Sequence, residues 1–384
     1  METAIRKKIL IVCDSSKSLL DFRGKLMEKM QINHQVYVFT PKITQKSISD
    51  RLHQMGVEVY ESSLNGSNVA ILSDLVFIVS LFKLLKTIKP DVFFPYTLKP
   101  VIYGTVLAKI CKVKLIVPML TGLGYNFTDG NDGNKIVIGL TKLLLKLSLK
   151  PRSQLNIVFQ NKDDAQKLIT LGILGPKHHI HVVNGSGVDL NHYTYTKPSL
   201  RKITFLMISR LINAKGLNEY YEAAKTMHLK YPLIRFKLIG AHDKNIDGLK
   251  KGLYQQLVSG NPIQYLGQLD DVRPAIKEAS VVVLPSYYGE GVPRSILESM
   301  AMGRAVITCD SVGCRETVNQ QAGKENGFLV PIKDSVALAS KMEYFILNKN
   351  KIINYGYKGL AFAKEKFDVN LINNDLFRIM QLEA

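Results

Sequence analysis

Short apolar runs alternate with segments of helical period along this chain, and the whole alternation occurs twice. In the first half the runs are KKILIVCD, QVYVFT, VEVYES, DVFFPYT, KLIVPML, LNIVFQN and HIHVVNG, and the spacing predicts helices over 69–88, 101–111, 135–149 and 163–171, among others. Strands separated by helices imply parallel βαβ units with helices on both faces of a sheet. Residues 191–202, NHYTYTKPSLRK, are polar, contain a proline and have no period, and read as a linker. The alternation then restarts with ITFLMISR, FKLIGA, IQYLGQ, VVVLPS, AVITCD and NGFLVPI, around expected helices 216–230, 246–258, 272–279 and 294–302. Three further helices are expected over 334–348, 352–366 and 369–382. The fold class is therefore α/β, with two doubly wound, Rossmann-like parallel-sheet domains, 1–190 and 203–366, facing a cleft. Residues 367–384 form a C-terminal helix expected to return to the first domain. Ligands of open α/β sheets bind beyond the carboxyl ends of the strands, so one side of such a cleft can hold a donor and the other an acceptor.

A chain of 384 residues suits two domains of ordinary size. Cys13, Cys111, Cys309 and Cys314 have no paired spacing, which implies free thiols in a reducing compartment. The apolar run at the N-terminus is too short for a signal peptide and has no small-residue cleavage site. The stretch NVAILSDLVFIVSLFKLLKTIK approaches the composition of a membrane span, but Asp74, Lys83 and Lys86 interrupt it, and it reads as a buried crossover helix. Fifty-one Lys and Arg against 32 Asp and Glu give a net charge of +19, spread over both halves. Such a surface favours an anionic partner, either phosphates or anionic lipid. Nucleic acid is disfavoured, because there is no zinc finger, no RNA-binding aromatic signature and no basic heptad region.

Two strand ends of the second half carry chemistry. ITFLMISRLINAKGL places Arg210 at a strand end and Lys215 just before a helix, whose free N–H groups and partial positive charge suit a diphosphate together with the two cations. Two solvated surface bases are the bland alternative. YYGEGVPRSILESMAMG places Glu290 in a glycine-rich loop, Pro293 at the start of a helix, and Glu298 in that helix's second turn. A carboxylate accepts well from vicinal diols, so the two glutamates can serve different parts of one elongated ligand. A turn residue and a surface helix charge are the alternatives. Glu316, in SVGCRETV, suits a helix start. DGNDGN (129–134) fails the calcium-loop spacing, and HHIH (178–181) reads as a surface strand, so no metal site is expected.

The stretch GEGVPRSILESMAMGRAVITCDSVGCRETV resembles the signature region of the family 4 retaining glycosyltransferases of the GT-B fold, whose E-x7-E hallmark matches Glu290 and Glu298. ISRLINAKG, YLGQLDDV and NGFLVP resemble the same pattern. YTLKPVIYG, TGLGYNFTD and GSGVDL look like the subfamily that assembles capsule, O-antigen and N-glycan saccharides. Val101 stands where many relatives have asparagine, and CDSSKSLLDFR replaces the family's Gly-Gly near the first strand. The resemblance implies transfer of an N-acetylhexosamine or other hexose from a UDP-sugar to a saccharide on undecaprenyl diphosphate, at the inner face of the bacterial membrane. It implies no cofactor and no required metal. Arg210, Lys215 and Glu290 are the implied catalytic residues. Arg210 and Lys215 would hold the diphosphate, Glu298 the ribose, Glu290 with Gly291 and Val292 the transferred sugar, and the Gly267 to Leu269 region the uracil. Acceptor-side candidates are Thr97, Lys99 and Thr121; Ser186, Gly187 and Asp189 mark the domain junction. A UDP-sugar 2-epimerase of similar architecture is the alternative. The segment KIVIGLTKLLLKLSLKPR reads equally as a basic amphipathic helix on an anionic membrane surface or as a core-packed helix with a lysine face.

Overall fold

In a computed structural model the short apolar runs become parallel strands; residues 6–62, 64, 71–124, 127, 135–242, 248–249 and 251–383 are described. The chain divides into two units, residues 1–186 with 370–384, and residues 187–369. In the first unit β1 (Lys8–Val12), β2 (Gln35–Pro41), β3 (Glu58–Ser62), β4 (Val92–Pro95) and β5 (Leu115–Ile116) form a parallel sheet of order β3-β2-β1-β4-β5. KLIVPML is two strands, not one. Proline has no N–H for the ladder, and the chain breaks at Pro118 between β5 and β6 (Met119–Leu120), while the Pro118 carbonyl accepts from the Val158 N–H at 2.9 Å. β6 opens a smaller parallel sheet with β7 (Asn156–Phe159) and β8 (His179–Val182).

Helices α1 (Ser16–Asn33), α2 (Lys46–Gln54), α3 (Ile71–Ile88), α4 (Thr105–Ile110), α5 (Lys135–Ser148) and α6 (Lys162–Thr170) cover these sheets. The expected helix 101–111 opens as a π-turn, Pro100–Gly104, before α4. Gly104 is needed there, since a Cβ would lie 2.8 Å from the Phe93 ring. α3 is not the fully buried helix that its hydropathy suggested. Phe77, Leu81, Leu84, Leu85 and Ile88 face the core, whereas Leu72, Leu75, Val76 and Val79 are exposed. Mean hydropathy cannot tell a helix with one apolar face from a helix with two. DGNDGN lies outside the described residues. In β8, His181 Nε2 stands 3.0 Å from Asn156 Oδ1, and among the described residues no group of three or more His, Cys, Asp or Glu could hold a metal ion.

The second unit is one parallel sheet of β9 (Thr204–Ile208), β10 (Arg235–Ile239), β11 (Ile263–Tyr265), β12 (Val281–Leu284), β13 (Ala305–Cys309) and β14 (Gly327–Val330), in the order β11-β10-β9-β12-β13-β14. Its helices are α7 (Leu217–Lys230), α8 (Lys251–Val258), α9 (Arg273–Glu278), α10 (Arg294–Ala301), α11 (Ser335–Leu347) and α12 (Lys349–Lys366). The strand order reverses between β9 and β12, which marks that edge as the ligand crevice of a doubly wound sheet. The final helix, α13 (Val369–Ile379), contributes Ile372, Leu376 and Phe377 to the same core as Leu26, Met27 and Met30 of α1.

The division of the chain falls at Ser186 and Gly187, so residues 191–202 are part of the second unit and not a free linker. Polar composition concealed their anchor. Thr196 N–H donates to the Met302 carbonyl at 3.2 Å, and the Tyr195 ring lies over Gly303, where a Cβ would meet it at 2.5 Å. Arg304 completes the anchor. Its guanidinium is fully buried and donates to the carbonyls of Ala279 (3.0 Å), Lys277 (2.7 Å), Thr196 and Met302. Burial pushes its pKa down to about 10, so it remains charged at neutral pH. Four carbonyls, two of them in buried hydrogen bonds, lose a donor together in Arg304→Met, which is expected to destabilise the unit by about 3 kcal/mol in urea unfolding.

A buried titratable group sits at the start of α6. Asn161 Oδ1 accepts from the Asp164 N–H at 2.8 Å, while Asn161 Nδ2 donates to Asp164 Oδ2 at 2.9 Å. Burial pushes the Asp164 carboxyl up to about 7 from 3.8. A raised carboxyl binds its proton more tightly in the folded state, so its stabilising effect is complete below about pH 4 and is lost as the pH rises to about 7. Thermal melting from pH 4 to pH 8 is expected to show wild type losing stability relative to Asp164→Asn across that window.

Candidate functional site

Adjacent pairing of β9 and β12, with Phe205 opposite Val281 and Leu206 opposite Val282, brings two strand ends together that are about 80 residues apart in sequence. The turn after β9 carries Arg210 and a short 3-10 segment, Asn213–Lys215. Gly216 closes that turn in the left-handed region, φ 76°, and caps α7. A Cβ on Gly216 would lie 2.1 Å from the Pro285 carbonyl oxygen, so only glycine allows the two turns to touch. Tyr287 N–H then donates to the Ala214 carbonyl at 2.8 Å.

This contact sets Lys215 against Glu290. Both side chains are largely buried, with Nζ to Oε1 at 2.7 Å, and Ser286 Oγ donates to the same Oε1 at 2.8 Å. Tyr288 lies beside both cations: the Arg210 guanidinium is 5.6 Å from its ring centroid and the Lys215 ammonium 5.1 Å. The loop is buttressed from β13. Ser311 Oγ donates to the Ser286 carbonyl at 2.6 Å. Gly313, φ 76°, sits where a Cβ would be 2.4 Å from the Gly291 carbonyl oxygen and 2.6 Å from that of Glu290. Burial, and then the charge of Glu290, push the Cys314 thiol up to about 11, so it is an inert neighbour.

Pro293 is the N-cap of α10, and Glu298 lies in the second turn, nearly buried. Arg294 Nε and Nη2 both reach Glu298 Oε1, at 3.0 and 2.8 Å. Tyr193 meets the same carboxylate; burial and the Glu298 charge push its phenol well up. Tyr193 also packs with Leu269 against the small core of Leu206, Ile239 and Ile276. Gly267, φ 71°, follows β11 and accepts from the Gly240 N–H at 2.9 Å. The two glutamates therefore answer to different cations, Glu290 to Lys215 and Glu298 to Arg294, and do not share a proton as a carboxylate dyad does.

Arg210, Lys215, Glu290, Gly291, Val292 and Glu298 thus meet at or beside the crossover of the sheet, and Tyr193 links Glu298 to the Gly267–Leu269 turn. Sequence reasoning missed Tyr193, Ser286, Tyr288 and Arg294. Ser286 and Tyr288 flank the glycine loop and could have been suspected from position; Tyr193 carried no signal within a polar stretch. Glu316 does not open a regular helix. It sits in a 3-10 turn, Arg315–Thr317, paired with Lys366 at 2.7 Å.

In the first unit Thr97, two residues beyond β4, has φ 71°, an uncommon conformation for a β-branched residue, and its Oγ1 is buried without a hydrogen-bond partner. Its N–H reaches the Met119 carbonyl at 3.2 Å, two residues before Thr121. Lys99 is engaged within its own unit: Nζ lies 2.8 Å from Asp74 Oδ1, and the Tyr103 hydroxyl donates to Oδ2 at 3.0 Å. At the junction Gly187 has φ 75°, Ser186 is buried, and Asp189 Oδ1 accepts from the Asn191 N–H at 2.9 Å. The two chain crossings pair there, with Val188 N–H on the Phe367 carbonyl at 2.8 Å.

Two doubly wound sheets, with basic and acidic side chains gathered at the crossover of the second, are the architecture of a GT-B glycosyltransferase. The family profile "Glycosyl transferase 4-like" matches residues 8–161 and "Glycosyl transferases group 1" matches residues 202–348, and the chain belongs to these glycosyltransferases. It is 25% identical over 381 residues, 95% of this chain and 96% of the relative, to the N,N'-diacetylbacillosaminyl-diphospho-undecaprenol alpha-1,3-N-acetylgalactosaminyltransferase of Campylobacter jejuni. It is 27% identical over 310 residues, 75% of this chain and 77% of the relative, to the UDP-Gal:alpha-D-GlcNAc-diphosphoundecaprenol alpha-1,3-galactosyltransferase of Escherichia coli. Among solved structures, HepE of Anabaena in complex with UDP and glucose superposes with a TM-score of 0.77 at 19% identity, over 98% of this chain and 100% of that chain.

Gly313→Ala is expected to displace the Glu290–Gly291 backbone, lowering stability by about 1–2 kcal/mol and glycosyl transfer about tenfold or more. Urea unfolding and initial rates check the two effects separately.

Proposed function

We propose that this glycosyltransferase moves a sugar, an N-acetylhexosamine or other hexose, from a UDP-sugar to a saccharide carried on undecaprenyl diphosphate, with retention of anomeric configuration. The observation that carries this reading is the convergence of Arg210, Lys215 and Glu290 at the β9–β12 crossover, in a chain whose relatives act on undecaprenyl-diphosphate-linked sugars by name. Arg210 and Lys215 take the diphosphate, Glu298 the ribose hydroxyls, and the Gly267–Leu269 turn the uracil. Glu290, with the N–H groups of Gly291 and Val292, orients the transferred sugar.

As the glycosidic bond breaks, negative charge grows on the departing diphosphate. Two cations already in place beside it lower that barrier without reorganising, which is why no metal is assigned to the reaction. The acceptor hydroxyl attacks the face that the diphosphate leaves, and the departing phosphate helps to take its proton. Thr97 and Thr121, just beyond β4 and β6, are assigned to the acceptor side. Lys99 acts there through Asp74 and Tyr103, by fixing the loop that carries Thr97.

A lipid-linked acceptor calls for membrane contact at the inner face of the cell membrane. Among the described residues no helix is long and apolar enough to cross a membrane. α5 buries Leu145 yet leaves Ile136, Leu140, Leu143 and Leu147 exposed as a second apolar stripe, flanked by Lys135, Lys142 and Lys146. α3 exposes Leu72, Leu75, Val76 and Val79, and α4, which touches both helices, exposes Val106 and Ile110. Apolar stripes with a basic fringe suit partial insertion into an anionic leaflet.

Incubation with UDP-GlcNAc or UDP-GalNAc is expected to release UDP only when the lipid-linked acceptor is present, and equally with or without a chelator. Epimer formed without acceptor would overturn transfer as the activity. Glu290→Gln is expected to lower kcat/KM about a hundredfold; unchanged activity would remove its sugar-side role. Leu75→Glu combined with Leu143→Glu is expected to weaken sedimentation with phosphatidylglycerol vesicles about tenfold, with transfer to a short soluble acceptor unchanged.

A further inference from the structure

We infer that Tyr288 is the positioning residue of the phosphate-binding cations: its ring holds the Arg210 guanidinium and the Lys215 ammonium where a nucleoside diphosphate needs them. This deepens the donor-site reading given above and rests on it. The two cations approach one ring, at 5.6 and 5.1 Å from its centroid. Like charges gathered beside one ring repel, and a group that attracts both offsets that repulsion before a diphosphate arrives. Glu290 meets Lys215 at 2.7 Å. A carboxylate that holds a cation also faces an incoming diphosphate with like charge. An aromatic face attracts cations through its quadrupole and brings no net charge to the site.

The ring is placed by the turn that places Glu290. Tyr288 N–H donates to Ser286 Oγ at 3.3 Å, and the Tyr288 carbonyl accepts from the Glu290 N–H at 2.7 Å. Ser286 Oγ in turn donates to the Glu290 carboxylate. One short turn therefore orients the sugar-side carboxylate and the platform for the diphosphate cations, joining strand end β12 to strand end β9 through side chains as well as through Gly216. The attraction belongs to the ring face and not to the hydroxyl, so phenylalanine preserves it and leucine removes it.

Calorimetric titration of the full chain with UDP and with uridine tests this. Tyr288→Phe is expected to bind UDP within about twofold of wild type, and Tyr288→Leu about tenfold more weakly, with uridine affinity unchanged in both. Wild-type UDP affinity in Tyr288→Leu overturns the inference. So does an equal loss of UDP and uridine, which marks a collapsed loop, and so does an equal loss in the Phe and Leu variants, which assigns the effect to the hydroxyl. Arg210→Ala and Lys215→Ala separate the two levels of the argument. If they leave the advantage of UDP over uridine intact, the donor-site reading fails; if they abolish it and Tyr288→Leu does not, only the role of Tyr288 fails.

Discussion

A methyl group at residue 216 would stand 2.1 Å from the carbonyl oxygen of Pro285. That close approach, possible only for glycine in the left-handed region, holds the turn after β9 against the turn after β12. The Lys215–Glu290 pair, the Tyr287–Ala214 hydrogen bond and the shared ring of Tyr288 all depend on it. A second approach of the same kind, Gly313 against Gly291, supports the loop from β13. The geometry of the site is thus set by backbone contacts, and the charged side chains follow from them.

The electrostatics of that turn are balanced locally. Lys215 and Arg294 each have a glutamate, and Arg210 and Lys215 both lie beside the Tyr288 ring. Largely buried ion pairs are costly to desolvate and contribute little net stability, so their presence argues for orientation more than for folding.

Arg304 provides a contrast. It is fully buried, and its guanidinium donates to four carbonyls and joins segments around residues 196, 277–279 and 302. Its role is architectural, and the same residue explains why 191–202, with every compositional mark of a linker, is fastened to the second unit. The exposed stripes of α3 and α5 show the converse: strongly apolar helices whose hydropathy could not reveal that only one side faces the core.

Strand and helix order, the division into two wound halves and the chemical character of Arg210, Lys215, Glu290 and Glu298 were legible in the sequence, because apolar periodicity and glycine-rich turns are local properties; the separate small sheet of β6, β7 and β8 was not. The break at Pro118, the outward face of α3, the anchoring of 191–202 and the commitment of Lys99 to Asp74 were not, because each depends on a neighbour distant in sequence. Residue types determined that this chain carries two wound sheets and a cationic, carboxylate-bearing turn. Only tertiary structure decided which cation meets which carboxylate, that Tyr193 and Tyr288 belong to the site, and that Thr97 is held in a left-handed conformation. Parallel pairing of β9 with β12 sets the contacts of that turn, and no local sequence rule encodes which strands will be neighbours.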